Sequence, residues 1–373
     1  MKIAQEIFSK NKGELWFLEG EFTTTRPENC WVFQQPNNKS YKYDYLYLLT
    51  QKNLAKSLEG TPNYASLQEK QEKFEVHWGV CKQVGIKIDR ENIFKAIPEK
   101  IIREYLSVKE LCLRNMIPEQ IPESYHWLKR MYLFSQFLNR KLTLLEENSV
   151  RTYKFHYDVF GTVTGRWLVR SKEATFYNWP KEKRKIIVPK NDYLVEFDFN
   201  GMDIRSLLAL GHKEQPQIDI HSWHMKQFNW QDRKESKKLF FQWLYSKRDS
   251  NEISQIYKRN IWKEYEEENK ITNPFKRELP SIKDKELNYL VQSTSFDILI
   301  EQSMALYKSL VKMESYISFL FYDCVVLDVT ENELENVLQM SKDFGKTRFG
   351  NFLVNIKVGK NYGEMNETVS VNR

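Results

Sequence analysis

The sequence predicts an α+β fold, and three stretches carry that expectation. Tyr193 to Phe199 alternates apolar and polar side chains as a strand does, and from Met202 to Leu210 the spacing becomes helical. Ile317 to Val329 reads as a strand, a tight turn and a second strand. Glu286 to Leu310 has the spacing of a long amphipathic helix, so strands and helices mix, with helical segments inserted between strands.

At 373 residues the chain is long enough for one large domain or two to three ordinary ones, each with a sizeable core. Lys and Arg number 57 against 50 Asp and Glu, a net charge of +7 that fits a nucleic-acid partner without requiring one. Aromatic residues make up 14% of the chain, enough to serve as core packing or as platforms for bases. Cys30, Cys81, Cys112 and Cys324 form no CxxC pair, which argues against a disulfide scaffold or cysteine zinc site and for a reducing compartment. The first residues lack a signal-peptide pattern, and no apolar run reaches membrane-spanning length. The expected location is therefore the cytoplasm, including that of an infected host cell.

In chain order, Leu15 to Leu18 and Trp31 to Phe33 read as strands, followed by a polar turn at Gln35 to Asn38 and a Tyr-rich run ending near Leu49. Glu19 and Glu21 are either metal ligands or a solvated strand edge. Phe74 to Val84 is helical, with a stop at Gly85. Ile93 to Met116 continues as broken helix, Pro118 and Pro122 punctuate it, and Trp127 to Leu145 reads as a further helix. Residues 151–192 are rich in Gly, Thr and basic residues and are either a phosphate-holding segment or an exposed basic loop. Residues 247–285 are highly charged and read as a solvated insertion.

The residues with chemical potential fall into groups. Asp198 ends one strand and Asp323 interrupts the strand pair near the C-terminus, giving two carboxylates on neighbouring strand ends, as a two-metal phosphoryl-transfer site requires. Arg233, Lys237, Phe241 and Tyr245 recur every fourth residue, so two cations and two rings project from one side of a helix. Such a row is either a triphosphate and base platform or an amphipathic surface helix. Asn288 and Gln292 share a helix face and either touch degenerate groove edges or are solvated. His212, His221 and His224 have a loose spacing for zinc, and Asp219 is a helix cap.

Taken in order, these motifs resemble the polymerase domain of family A DNA polymerases. Asp198 to Arg205 resembles the first catalytic motif, the Arg233 row resembles the nucleotide-binding helix, and Tyr322-Asp323 resembles the last catalytic pair. Thr164-Gly165-Arg166, Asn178-Trp179-Pro180 and Arg184 resemble the primer-template segment, and Asn288 to Asp297 and Val358 to Gly363 resemble the later motifs. The likeness spans roughly residues 72–370. It implies a right-hand palm, fingers and thumb fold with reduced thumb and fingers and a small N-terminal α/β segment. In this division residues 1–71 are the N-terminal segment, 72–160 thumb-like helices, 161–222 the first part of the palm, 223–285 compact fingers and 286–373 the second part of the palm.

The same resemblance implies DNA-templated addition of dNTPs to a primer 3′-end with release of pyrophosphate, without a complete proofreading exonuclease. Asp198 and Asp323 would hold two Mg²⁺ ions, or Mn²⁺ in their place. Lys237 would act with them in catalysis and, with Arg233, neutralise the triphosphate, while Phe241, Tyr245 and Asp203 shape the base and sugar pocket. Thr164, Arg166, Arg184, Arg205, Arg277, Asn288, Gln292 and Tyr322 would contact primer-template DNA. A separate exonuclease, helicase or processivity protein is the expected partner, and no membrane.

Several positions depart from the family's pattern. Asp203 replaces Glu beneath the sugar, Tyr322 replaces His, Cys324 replaces an acid, and Ser246 and Ser293 replace Gly. Two alternatives therefore stay open: a primase-like or RNA-synthesising polymerase, and a catalytically silent nucleic-acid-binding assembly subunit.

Overall fold

Alternation at Tyr193–Phe199 places Val195, Phe197 and Phe199 on one face of a strand and Glu196 and Asp198 on the other, and this strand is the middle of the largest sheet. The computed structural model describes residues 2–8, 13–27, 30–33, 58–116, 123–138, 141–146, 149–159, 161–170, 176–246 and 250–368. The polar turn expected at 35–38 and the Tyr-rich run lie outside them. The chain divides into two compact units, Met1–Arg130 and Met131–Arg373.

In the first unit, strands Ile3–Phe8, Leu15–Leu18 and Glu21–Thr23 pair antiparallel, and Trp31–Phe33 adds parallel to Ile3–Phe8. Helices Tyr64–Gln83 and Glu99–Met116 pack on each other through the stacked rings of Phe74 and Tyr105, 5.0 Å apart. Phe8, Phe17, Ile93 and Ile102 share one core with them, and Gln5 donates from its amide to the Leu106 carbonyl at 2.7 Å. The expected boundary at residue 71 thus falls inside a helix, because the short sheet has no core without the helices that cover it. Glu19 pairs with Lys2 and Glu21 with Arg103, so these two carboxylates turn to separate cations.

In the second unit, the five-stranded antiparallel sheet runs Tyr316–Phe321, Cys324–Val329, Tyr193–Phe199, Val354–Gly359, Asn366–Thr368. Phe344, at the end of helix Leu334–Phe344, packs against Phe199 at 4.8 Å and Phe197 at 5.6 Å and closes one face. Helix Met202–Leu210 is buried along its whole length, with Ile204 and Leu207 in a core shared by Phe240, Trp243 and Leu290. Leu290 belongs to helix Glu286–Leu310 and Trp243 to helix Arg233–Tyr245.

Two further expectations are corrected. The helix read over Trp127 to Leu145 ends earlier, as Glu123–Phe137, and Lys141–Glu146 is instead a strand paired with Ser149–Lys154. Leu142 and Leu144, two residues apart, are both buried, as the period of two of a strand allows. The charged insertion also has an interior: Ile253, Tyr257, Ile261, Ile271 and Leu279 enter the Ile204 core, and Glu266–Glu267, Lys270–Thr272 and Glu278–Pro280 form a small sheet. Among the described residues no helix is long and apolar enough to cross a membrane, and no disulfide joins the four cysteines.

Phe344 fills the space between two strand side chains, so Phe344→Ala should cost about 3–5 kcal/mol of unfolding free energy in urea titration. Val163→Ala, at an exposed position, should stay within about 0.5 kcal/mol of the parent.

Candidate active site

The central strand ends at Phe199-Asn200-Gly201, and the chemistry of these residues sets the turn into the next helix. Gly201 has φ +65°, and a Cβ there would collide with Ile220, so the entry into helix Met202–Leu210 requires glycine. Asn200 fixes the same turn: its carboxamide oxygen accepts from the Ile220 N–H at 2.8 Å and its amide donates to Asp219 at 2.9 Å. The result is Asp198 at a strand end and Asp203 in the first turn of a helix.

Asp323 arrives from the neighbouring hairpin. Phe321 and Cys324 are partners, so Tyr322 and Asp323 form a two-residue turn with Tyr322 at φ +53°. Cys324 lies opposite Asp198, and the Phe199 N–H approaches the Asp323 carbonyl at 3.5 Å. Register therefore brings Asp198 and Asp323 to one edge of the sheet.

The charges interact. Burial, reinforced by Glu196, pushes the Asp198 carboxyl up to about 6, opposed by Lys357, a hydrogen bond from Asn355 and the more distant Lys237. Asp323 is also held above the usual carboxylate range, first by burial and then by Asp203 and Asp198, with Arg166 pulling the other way. Arg166 donates from Nη2 to Asp203 at 3.2 Å and lies 3.7 Å from Asp323. Its position depends on Gly165, at φ +77°, where a side chain would strike the Arg277 guanidinium.

The Arg233–Tyr245 helix reaches the group through Tyr245 at one end and is anchored at the other. Asp219 caps helix Ile220–Phe228 and receives Arg233 through Nε at 3.0 Å and Nη2 at 2.7 Å, which ties the two helices together. Lys237 is 6.0 Å from the centre of the Phe241 ring. The Phe241 and Tyr245 rings are parallel, 5.7 Å apart, and the Tyr245 hydroxyl donates to Asp203 and meets Gln292. Burial and the neighbouring Asp203 raise that phenol far above its ordinary value.

A cavity of about 420 Å³ adjoins Asp323, with Trp167, Phe296 and Leu320 among its apolar lining and Thr164, Arg166, Gln292 and Tyr322 among its polar lining. Arg184 donates to the Trp179 carbonyl at 2.9 Å and stands 4.5 Å over the Phe321 ring, bracing the hairpin that carries Asp323. Asn288 points its carboxamide oxygen into buried surroundings with no hydrogen-bond donor.

Two arginines expected to touch nucleic acid do not face solvent. Arg205 is fully buried and donates to the carbonyls of Asn200 at 2.7 Å, Pro216 at 2.7 Å and Ile218 at 3.0 Å, which pins the loop before Asp219. Arg277 is buried in an ion pair with Asp297 at 2.5 Å, and Asn273 donates to the same carboxylate at 2.7 Å. Both arginines are structural braces because each has its donors satisfied inside the fold. The histidines form no triad: His224 meets the Tyr257 hydroxyl at 2.6 Å inside an aromatic cluster with Phe240 and Phe228, and burial holds it at about 3.

Sequence reasoning missed Glu196, Lys357 and Tyr362. Glu196 and Lys357 are directly paired across two strands and form an ion pair at 2.5 Å on the Asp198 face of the sheet. Tyr362 reaches the same group and lies 3.9 Å from the Cys324 sulfur. The period of two between Glu196 and Asp198 was the available signal.

Among the described residues no group of three or more His, Cys, Asp or Glu side chains stands ready to hold a metal. Asp198 and Asp323 carry the oxygen donors a hard cation takes, and their proton affinity is raised first by burial and then by neighbouring carboxylates.

No family model matches the chain. No curated protein matches it either. Among solved structures, the POL domain of Pol1 from M. smegmatis in complex with DNA primer-template and dNTP is similar at 12% identity and a TM-score of 0.47, over 73% of this chain and 55% of that one.

The raised Asp198 carboxyl has a stability consequence. Its folded value of about 6 exceeds the unfolded 3.8, so the native state binds the proton more tightly and loses stability as pH rises between those values. At pH 7, Asp198→Asn should therefore raise the unfolding free energy by about 1–3 kcal/mol, and at pH 4 or below the gain should vanish. Thermal unfolding at the two pH values measures it.

Proposed function

We propose that the chain is a DNA-templated DNA polymerase that adds dNTPs to a primer 3′-end and releases pyrophosphate. The observation that carries this reading is the juxtaposition of Asp198 and Asp323 at one sheet edge with Asp203, Arg166 and the Lys237 helix around them. A nuclease needs the carboxylates but not a facing row of two cations and two stacked rings.

In this reading Asp198 and Asp323 hold divalent cations, and Mg²⁺ needs only one or two carboxylates because water and substrate phosphates complete its shell. Bound there, Mg²⁺ or Mn²⁺ would activate the primer hydroxyl and stabilise the leaving pyrophosphate. Lys237 and Arg233 neutralise the triphosphate, Arg233 by exchanging its Asp219 contact for phosphate oxygens. The parallel Phe241 and Tyr245 rings form a flat wall for the base. Asp203, held by Tyr245, closes the pocket beneath the sugar. The Arg166, Gln292 and Tyr322 edge of the cavity receives the primer end, and its contacts position the duplex without reading sequence.

A second reading, RNA synthesis, is favoured by one feature: Asp203 is a methylene shorter than Glu and leaves more room at the sugar. Primer extension with dNTPs and rNTPs in parallel separates the two. The expected outcome is templated dNTP addition, with Asp198→Ala and Asp323→Ala each reducing it at least about 10²-fold. Preferential rNTP addition would select the second reading. Duplex binding with no metal-dependent extension of either kind would make the chain a silent assembly subunit.

A further inference from the structure

We propose that Arg166 is a built-in counter-ion of the carboxylate site: it supplies positive charge between Asp203 and Asp323 until a divalent cation takes over Asp323, and that exchange frees its guanidinium for nucleic acid. The inference deepens the polymerase reading and rests on it for the identity of the cation.

The geometry distinguishes the two carboxylates. Arg166 Nη2 is within hydrogen-bond distance of Asp203, at 3.2 Å, whereas its 3.7 Å approach to Asp323 is an ion contact without a hydrogen bond. The Asp323 contact is thus the weaker one and the one a cation displaces. Asp203 keeps its place in the exchange because its other oxygen accepts from Tyr245. The Arg166 backbone is fixed, since its carbonyl accepts from the Thr162 hydroxyl at 2.8 Å and Gly165 is locked against Arg277. Only the side chain is left to swing. It is about one-third exposed, at 31%, and borders the cavity with Thr164, Gln292 and Tyr322, so a released guanidinium has a polar edge to turn toward.

Asp203 and Asp198 both act on the Asp323 carboxylate, and without a cation that repulsion calls for a local positive charge. The Arg166 guanidinium meets that need from within reach of Asp203 and Asp323. Linkage makes the exchange reciprocal: a cation that releases Arg166 strengthens duplex binding, and duplex strengthens cation binding by the same factor.

The test is Mn²⁺ binding to the full chain without nucleic acid, read from the electron paramagnetic resonance of the free ion, in wild type, Arg166→Gln, Arg166→Lys and Asp323→Asn. Removing the competing charge should tighten Mn²⁺ binding about tenfold in Arg166→Gln. Arg166→Lys should stay near wild type, and Asp323→Asn should lose the site. Unchanged or weaker binding in Arg166→Gln, with Asp323→Asn still losing the site, overturns the counter-ion role and leaves the metal reading standing. Unchanged binding in Asp323→Asn removes both. Wild type alone gives a second measurement, which holds even if Arg166→Gln fails to fold: duplex affinity should rise several-fold on adding Mn²⁺. No rise overturns the proposal.

Discussion

The unit Met131–Arg373 depends on one constraint: two acidic side chains are held at the same sheet edge by backbone register. Asp198 sits opposite Cys324, the residue after Asp323, so a one-residue slip would turn Asp198 toward Phe344 and dismantle the site. The strands resist such a slip because Val195, Phe197 and Phe199 are buried on the other face. Hydrophobic burial of the strand therefore holds both carboxyls where desolvation, and after it the neighbouring carboxylates, raise their proton affinity.

A second layer of buried polar contacts holds the pieces that surround this edge. The Arg277–Asp297 pair with Asn273 forms a closed unit against which Gly165 packs, and Gly165 aims Arg166. Arg205 does the same for the loop leading to Asp219, which in turn holds Arg233. Removing one partner from such a buried pair leaves an uncompensated charge, so these residues shape the site from inside the fold. Glu196 and Lys357 form a comparable pair on the Asp198 face, where the lysine offsets a carboxylate that would otherwise add to the repulsion.

How much of this was legible in the sequence depends on the range of each interaction. The Tyr193–Phe199 strand, the turn into Met202–Leu210 and the row from Arg233 to Tyr245 are encoded by spacing within a dozen residues, and the structure has those elements. The convergence of Asp198 and Asp323 was legible because both ended strand-like runs. The burial of Arg205 and Arg277 was not, since their partners are carbonyls and a carboxylate chosen by tertiary packing. Lys141–Glu146 was misread because alternating leucines in a short run fit either period. In 247–285 charge hid Ile253, Tyr257 and Ile261, whose spacing of four was present in the sequence and outweighed by composition.

The central claim is that Asp198 and Asp323 form one cation site assembled by strand register. Anomalous diffraction from crystals of the protein grown with Mn²⁺ tests it most directly. A register-built site predicts an anomalous peak within bonding distance of both carboxylates. Saturating Mn²⁺ with no peak there, or a peak touching only one of the two, would contradict it.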